Sequence, residues 1–189
     1  MLKKGLIPVW IGILVMSGMF LMGQDTWPPT LECVDFEDPA PGSMYVVGDT
    51  FPDSGADVNA RQFEWSNGTW TSSGNMLVDS ASWCDSGGSG QNLTLNNINA
   101  EIIFPVSIDN GLTINIGEYG GNVNLMINGI HENKPTFGDM PPSVGGVTVT
   151  CTGAACTGGG TGVLRLEGVI NSIYIGGQEF CIDDVCPIL

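Results

Sequence analysis

Acidic side chains gather near both ends of the polar part of the chain. Glu32, Asp35, Glu37 and Asp38 stand in ECVDFEDPAPG, and Asp183 and Asp184 stand in FCIDDVC. Carboxylates brought together repel one another unless a cation sits among them, and Ca²⁺ takes roughly six to eight oxygens from carboxylates and main-chain carbonyls. Such a site forms if the first and last strands lie side by side. If they do not, the same acids simply face solvent, and charge alone does not choose between the two. Period-2 counting puts Asp184 on the face of Phe180 and Ile182, and Asp183 on the opposite face with Cys181 and Val185. One of the two acids is therefore expected to look away.

A second chemistry is carried by aromatics. A sugar ring offers a C–H face and a polar rim, so its recognition needs an exposed aromatic platform flanked by hydrogen-bonding groups. FEWSNGTWTSSGN supplies Trp65 and Trp70 among Ser66, Asn67, Thr69 and Ser72, and Trp83 follows beside Cys84. Phe63 and Trp65 alternate as core residues do, and buried aromatics outnumber platforms. Trp70, next to an expected Asn67-Gly68 turn, is the one placed in solvent; Trp65, Asn67 and Trp70 are the candidate ligand contacts. Asn67-Gly68-Thr69 and Asn92-Leu93-Thr94 are formal glycosylation sequons.

Catalytic constellations are missing from the sequence. His131 is the single histidine. It is expected to be a solvated side chain of a polar loop, NGIHENKPTFGD, and there is no HExxH, GxSxG, P-loop or dinucleotide fingerprint. Glycosidase chemistry needs only two carboxylates at a set separation, but 20 acids make some such pair inevitable. The expectation is a non-catalytic protein.

Six cysteines, Cys33, Cys84, Cys151, Cys156, Cys181 and Cys186, follow an N-terminal apolar segment. An even count behind a leader points to disulfides in an oxidising compartment. Both close pairs are spaced C-x4-C rather than C-x2-C, which argues against zinc. The expected pairing closes CTGAAC between Cys151 and Cys156, and ties Cys33 and Cys84 to Cys181 and Cys186. Residues 1–23 read as a basic start and an apolar core, the pattern of a secretory signal; an uncleaved membrane anchor is the alternative reading. The expected destination is outside the cytoplasm, secreted or at the cell surface. Any membrane contact would run through that leader alone.

The chain carries 5 Lys+Arg against 20 Asp+Glu, and only Arg61, Lys134 and Arg165 lie beyond the leader. So negative a surface repels phosphate backbones and anionic lipid, which disfavours nucleic-acid partners. Hydrophobic content of 42% is too high for disorder despite 28 Gly.

What must position these groups is a set of short strands. Residues 24–30 read as a Pro-containing linker, and 31–189 as one domain. No amphipathic helix is expected there. Alternation recurs over 33–36, 44–47, 62–65, 76–78, 91–96, 102–108, 112–116, 123–127, 147–150, 163–166, 173–175 and 180–185, bounded by Gly, Asn, Asp and Pro. About ten to twelve such strands without helical crossovers make an all-β antiparallel sandwich, or jelly roll, stapled by disulfides.

VDFEDPAPGSMYVVGDTF, GEYGGNVNLMING and INSIYIGGQEFCIDDV resemble bacterial exported β-jelly-roll domains, similar in plan to galactose-binding-like and carbohydrate-binding-module sandwiches. The resemblance spans roughly residues 34–185. It implies a structural Ca²⁺ shared by Glu37 and either Asp183 or Asp184, with Asp38 and Asp49 as secondary ligands, and a glycan or other surface ligand as partner. The competing expectation is a structural subunit that polymerises with copies of itself into a filament or surface layer.

Overall fold

The computed structural model describes residues 31–80 and 83–189; the leader 1–23 and the linker 24–30 lie outside the described residues. Among the described residues sixteen strands form, more than expected, because segments 50–53, 56–61, 70–71, 130–134 and 143–144, outside the expected runs, also pair. The first six are β1 (Met44–Val46), β2 (Thr50–Asp53), β3 (Ala56–Arg61), β4 (Phe63–Glu64), β5 (Trp70–Thr71) and β6 (Asn75–Asp79). Next come β7 (Asn92–Asn96), β8 (Ile98–Ile103), β9 (Gly111–Glu118), β10 (Val123–Ile127) and β11 (Ile130–Lys134). The last are β12 (Ser143–Val144), β13 (Val147–Gly153), β14 (Gly160–Glu167), β15 (Ile173–Gly177) and β16 (Phe180–Pro187). Two 3-10 turns, Phe137–Asp139 and Ala154–Thr157, lie beside β9 and β14.

Every pairing is antiparallel. One sheet runs β1-β6-β7-β16-β9-β14-β13-β12, the other β11-β10-β15-β8-β3-β2, and β4 and β5 form a separate hairpin. The all-β sandwich read from the sequence is therefore the fold. Period 2 explains the core. From one sheet come Leu93, Leu95, Ile114, Ile116, Leu164, Phe180 and Ile182; from the other, Val58, Ala100, Ile102, Leu125, Ile173 and Ile175. All thirteen are fully buried. Polar residues between them face outward.

Three expected elements differ. Residues 33–36 form only an isolated bridge, Val34 to Val185, because Phe36 takes a left-handed φ of 59°. Pro105 ends strand pairing where the run 102–108 had predicted continuity, and Ile108 instead bridges Ile170. The stretch around His131 is the edge strand β11 rather than a loop, paired with β10 along its whole length.

All six cysteines are paired, and the expected pattern is resolved: Cys33–Cys186, Cys84–Cys181 and Cys151–Cys156. Such bonds are what an oxidising compartment maintains. Cys84–Cys181 straps the segment 83–91 across the outer face of the larger sheet, where Asn92 Nδ2 also donates to the Cys84 carbonyl. Cys33–Cys186 ties the start of the described chain to its end.

Candidate functional site

Two places gather polar side chains that strand pairing alone does not require. The first is the acidic junction of the chain ends. The Val34–Val185 bridge sets residues 35–38 beside the end of β16. Glu37 Oε1 accepts the Gln91 N–H at 2.6 Å, and Asp38 Oδ2 accepts the Ser54 N–H at 2.9 Å. Asp53, fully buried on the core face of β2, accepts the Asp35 N–H through Oδ1, while its Oδ2 is buried without a partner. Burial raises the Asp53 pKa.

Asp183 lies 1% exposed under the same strapped segment that holds Glu37. A side chain at Gly88 would collide with the Asp183 carboxyl, and one at Gly90, whose φ is +81°, with that of Glu37, so both must be glycine. Burial pushes Asp183 up to about 7; the Asp184 N–H pulls it down, and the charges of Asp184, Asp35 and Glu37 push it higher.

The parity expectation for the terminal pair fails for a local reason. Asp184 takes φ 46° and forms a bulge, the register slips between Asp183 and Cys186, and Val185 returns to the core face. Asp184 Oδ2 then accepts from Asn115 Nδ2 at 2.9 Å, and Asn115 is the partner of Asp183 across the ladder. Both acids thus look outward on one side. Asp49 does not join them; it is exposed and caps the β1–β2 turn by accepting the Val46 N–H at 2.9 Å. Asp35 and Asp53 take its place in the cluster. An orphaned buried oxygen and an acid crowded by three others fit a hard, oxygen-preferring cation. Among the described residues no three side chains of His, Cys, Asp or Glu converge closely enough to hold a metal by themselves.

The second place is the outer face of the smaller sheet. Register aligns Thr50, Asn59, Glu101, Tyr174, Met126 and His131 in one row across six strands, about 24 Å long at five inter-strand spacings. A parallel row two residues along holds Arg61, Asn99, Gly176, Asn124 and Asn133. Its amides bind the main chain of the β4–β5 hairpin. Asn99 Nδ2 donates to the Gln62 carbonyl at 2.6 Å, and Asn124 both accepts the Glu64 N–H at 2.7 Å and donates to the Glu64 carbonyl at 3.0 Å. Asn133 Nδ2 donates to the Trp65 carbonyl at 2.9 Å. Side-chain amides stand in for a missing strand, and the hairpin becomes a wall along the open row.

The three sequence candidates divide on this wall. Phe63 is buried beneath it and Trp65 packs edge-on against Phe63 at 5.6 Å, half-buried. Asn67 spends its Oδ1 on the N–H and hydroxyl of Thr69, which shapes the turn. Trp70 is 49% exposed, as its turn position predicts, with its ring 5.1 Å from that of His131. Of the two sequons, only Asn67 is accessible; Asn92 is buried in β7.

A groove of about 300 Å³ opens between Trp70, Tyr174, Arg61, Gln62 and Val47. Arg61 Nε donates to Glu101 Oε2 at 2.7 Å, and Asn59 Nδ2 to the same oxygen at 3.0 Å. Burial, then the nearby Glu101, raises the Tyr174 pKa, so the phenol stays protonated and able to donate. His131 Nδ1 lies 3.2 Å from Glu64 Oε2. Arg61, Glu101 and Tyr174 were not picked out from sequence. The available signal was a lone acid inside the apolar run NAEII, opposite the alternating DVNAR.

Fold and sites together define an all-β, disulfide-stapled sandwich with a polar, aromatic-walled sheet face. Comparison finds no matching protein family, no matching curated protein and no matching solved structure. The resemblance read from sequence holds at the level of the antiparallel sandwich.

Proposed function

We propose that this chain is an exported, non-catalytic module that binds a neutral glycan on the outer face of its smaller sheet, with a structural calcium ion at the chain-end acids. The observation that carries the reading is the open row from Glu101 to His131, walled by a hairpin whose main chain is pinned and whose Trp70 is exposed. Trp70 and Tyr174 offer ring faces to sugar C–H groups, and Arg61, Glu101 and Asn59 offer donors and acceptors to hydroxyls. Each basic group beside the groove has an acid partner, so the face as a whole favours no anion. At the chain ends Glu37 and Asp183 would share the cation, with main-chain carbonyls and water completing its shell.

A glycan array followed by calorimetric titration tests this. The best neutral oligosaccharide should lose at least about tenfold in affinity on Trp70→Ala, the loss of one stacked ring face. No binding to any glycan, or a variant equal to the parent, rejects the reading.

A second reading, self-assembly into a filament or layer, draws on the edge strand β1, where Met44 and Val46 are 61% and 48% exposed. Negative-stain microscopy and size-exclusion chromatography at high concentration with Ca²⁺ test it; a strict monomer rejects it.

A further inference from the structure

The β4–β5 hairpin splits the outer face of the smaller sheet in two. The groove beside Trp70 and Tyr174 lies on one side. On the other, the register carries β15, β10 and β11 two residues past Gly176, Asn124 and Asn133, to Gln178, Asn122 and Pro135. These three, with Gly121 and with Ser66 from the hairpin turn, line a second cavity of about 340 Å³, within the roughly 300–1,000 Å³ of small-molecule sites.

The fold orients the polar groups of this cavity. Gln178 N–H donates to the Asn122 carbonyl at 3.3 Å, and Asn122 N–H donates back to Gln178 Oε1 at 2.8 Å. Gly121, at φ +82°, lies so close that any side chain there would collide with that of Gln178. With Oε1 engaged, Gln178 Nε2 is left as a donor that no other described residue uses. Asn122 is oriented in the same way. Its Nδ2 donates to the Glu64 carbonyl at 2.8 Å and to Asn133 Oδ1 at 2.6 Å, and its Oδ1 is buried without a partner. Asn122 is 4% exposed, so an unmet acceptor sits in the floor of the cavity. At the rim, the exposed Ser66 hydroxyl bonds to no other described residue.

This lining selects a ligand class. It holds no carboxylate, so a metal ion finds no charged ligand. Its one ammonium, Lys134, is paired with Glu132 at 2.7 Å, and the chain's net charge of −15 repels anions. An apolar molecule would desolvate the amides without replacing their hydrogen bonds. A neutral molecule whose groups both donate and accept meets every one of these conditions, as the hydroxyls of a sugar do.

We propose that this cavity is a second sugar site, which takes one neutral pyranose, free or as the end unit of a chain, and works without Trp70. Gln178 Nε2 donates to one hydroxyl, the Ser66 hydroxyl bonds a second, and the Asn122 oxygen favours a donor above it. Ring C–H groups lie on Pro135. The site does not rest on the aromatic groove.

Heteronuclear NMR titration of the oxidised protein with glucose, galactose, mannose and N-acetylglucosamine, each to about 50 mM, tests it. At least one sugar should give saturable shifts at the Gln178 side-chain amide and the Gly121 and Asn122 main-chain amides, unchanged in Trp70→Ala. Gln178→Glu keeps the acceptor for the Asn122 N–H and removes the donor, so it should weaken binding at least about tenfold. Ser66→Ala, at an exposed turn position, should weaken it several-fold. If Gln178→Glu does not fold, Ser66→Ala decides alone, and unchanged affinity overturns the proposal. Absent or unsaturable shifts, or shifts that Gln178→Glu leaves intact, also overturn it. Shifts that centre on Trp70 and vanish in Trp70→Ala overturn it as well and leave the aromatic groove as the sugar site. Shifts at Gln178 that survive Trp70→Ala uphold it even where the groove binds nothing.

Discussion

Replacing Asp183 by Asn in chelated protein should raise its stability at pH 8, although a buried residue is being changed. Asp183 is 1% exposed, and its carboxyl rises from 3.8 to about 7 through burial and the charges of Asp184, Asp35 and Glu37. The unfolded chain releases this proton near pH 4 and the folded chain near pH 7. The group's contribution is therefore whole below about pH 4, drains away as pH rises between the two values, and is gone above about pH 7. A rise of this size is worth at most about 4 kcal/mol; relaxation and water entry around the bulge in β16 reduce it to roughly 2–3 kcal/mol. Asn keeps the acceptor for the Asp184 N–H, now 2.7 Å from Asp183 Oδ1, and removes the charge. In excess EDTA the variant should gain about 5–10 °C in Tm at pH 8 and almost nothing at pH 4. Calorimetric melting across that range measures both ends. Millimolar Ca²⁺ should raise the parent's Tm and leave this part of the variant's response missing, since only the carboxylate supplies a ligand. A variant that melts at or below the parent at every pH in EDTA would refute the reasoning, because Asp183 could not then be a crowded charge.

The three disulfides should differ in weight with the loops they close, at sequence separations of 153, 97 and 5. Chain entropy gives about 5 kcal/mol each for Cys33–Cys186 and Cys84–Cys181 and about 2 kcal/mol for Cys151–Cys156, so urea melts of the paired Cys→Ala variants should rank that way. Asn124→Ala should cost about 2–3 kcal/mol, because Asn124 is 1% exposed and its loss leaves the Glu64 N–H short of a partner and the Glu64 carbonyl with fewer. The same variant should weaken glycan binding several-fold by loosening the hairpin that carries Trp70; unchanged affinity alongside the stability loss would detach the hairpin from binding.

Alternation was enough to define most strands, because a half-buried strand writes its two faces directly into successive residues. That is why the segments 44–47, 76–78, 112–116 and 123–127 are close to β1, β6, β9 and β10. The tight loop Cys151–Cys156 was legible from its spacing, and so was the tie of Cys33 and Cys84 to the last two cysteines, but which joins which was decided by the structure. Trp70 could be placed in solvent because Asn67-Gly68 is a turn signal of short range.

What strand order and backbone detail decided could not be read locally. The facing of Asp184 depends on a bulge one residue long, which reverses parity and so turns both terminal acids to one side. The row from Thr50 to His131 unites six strands drawn from residues 50 to 177, and only their order in the sheet makes neighbours of Glu101, Tyr174 and Met126. Nor does the sequence mark Glu118 as buried, since a terminal acid of an alternating strand looks the same whether solvent or two 3-10 turns lie beyond it. A side chain's face is set by its nearest neighbours along the chain; its partners are set by which distant segments the core brings together.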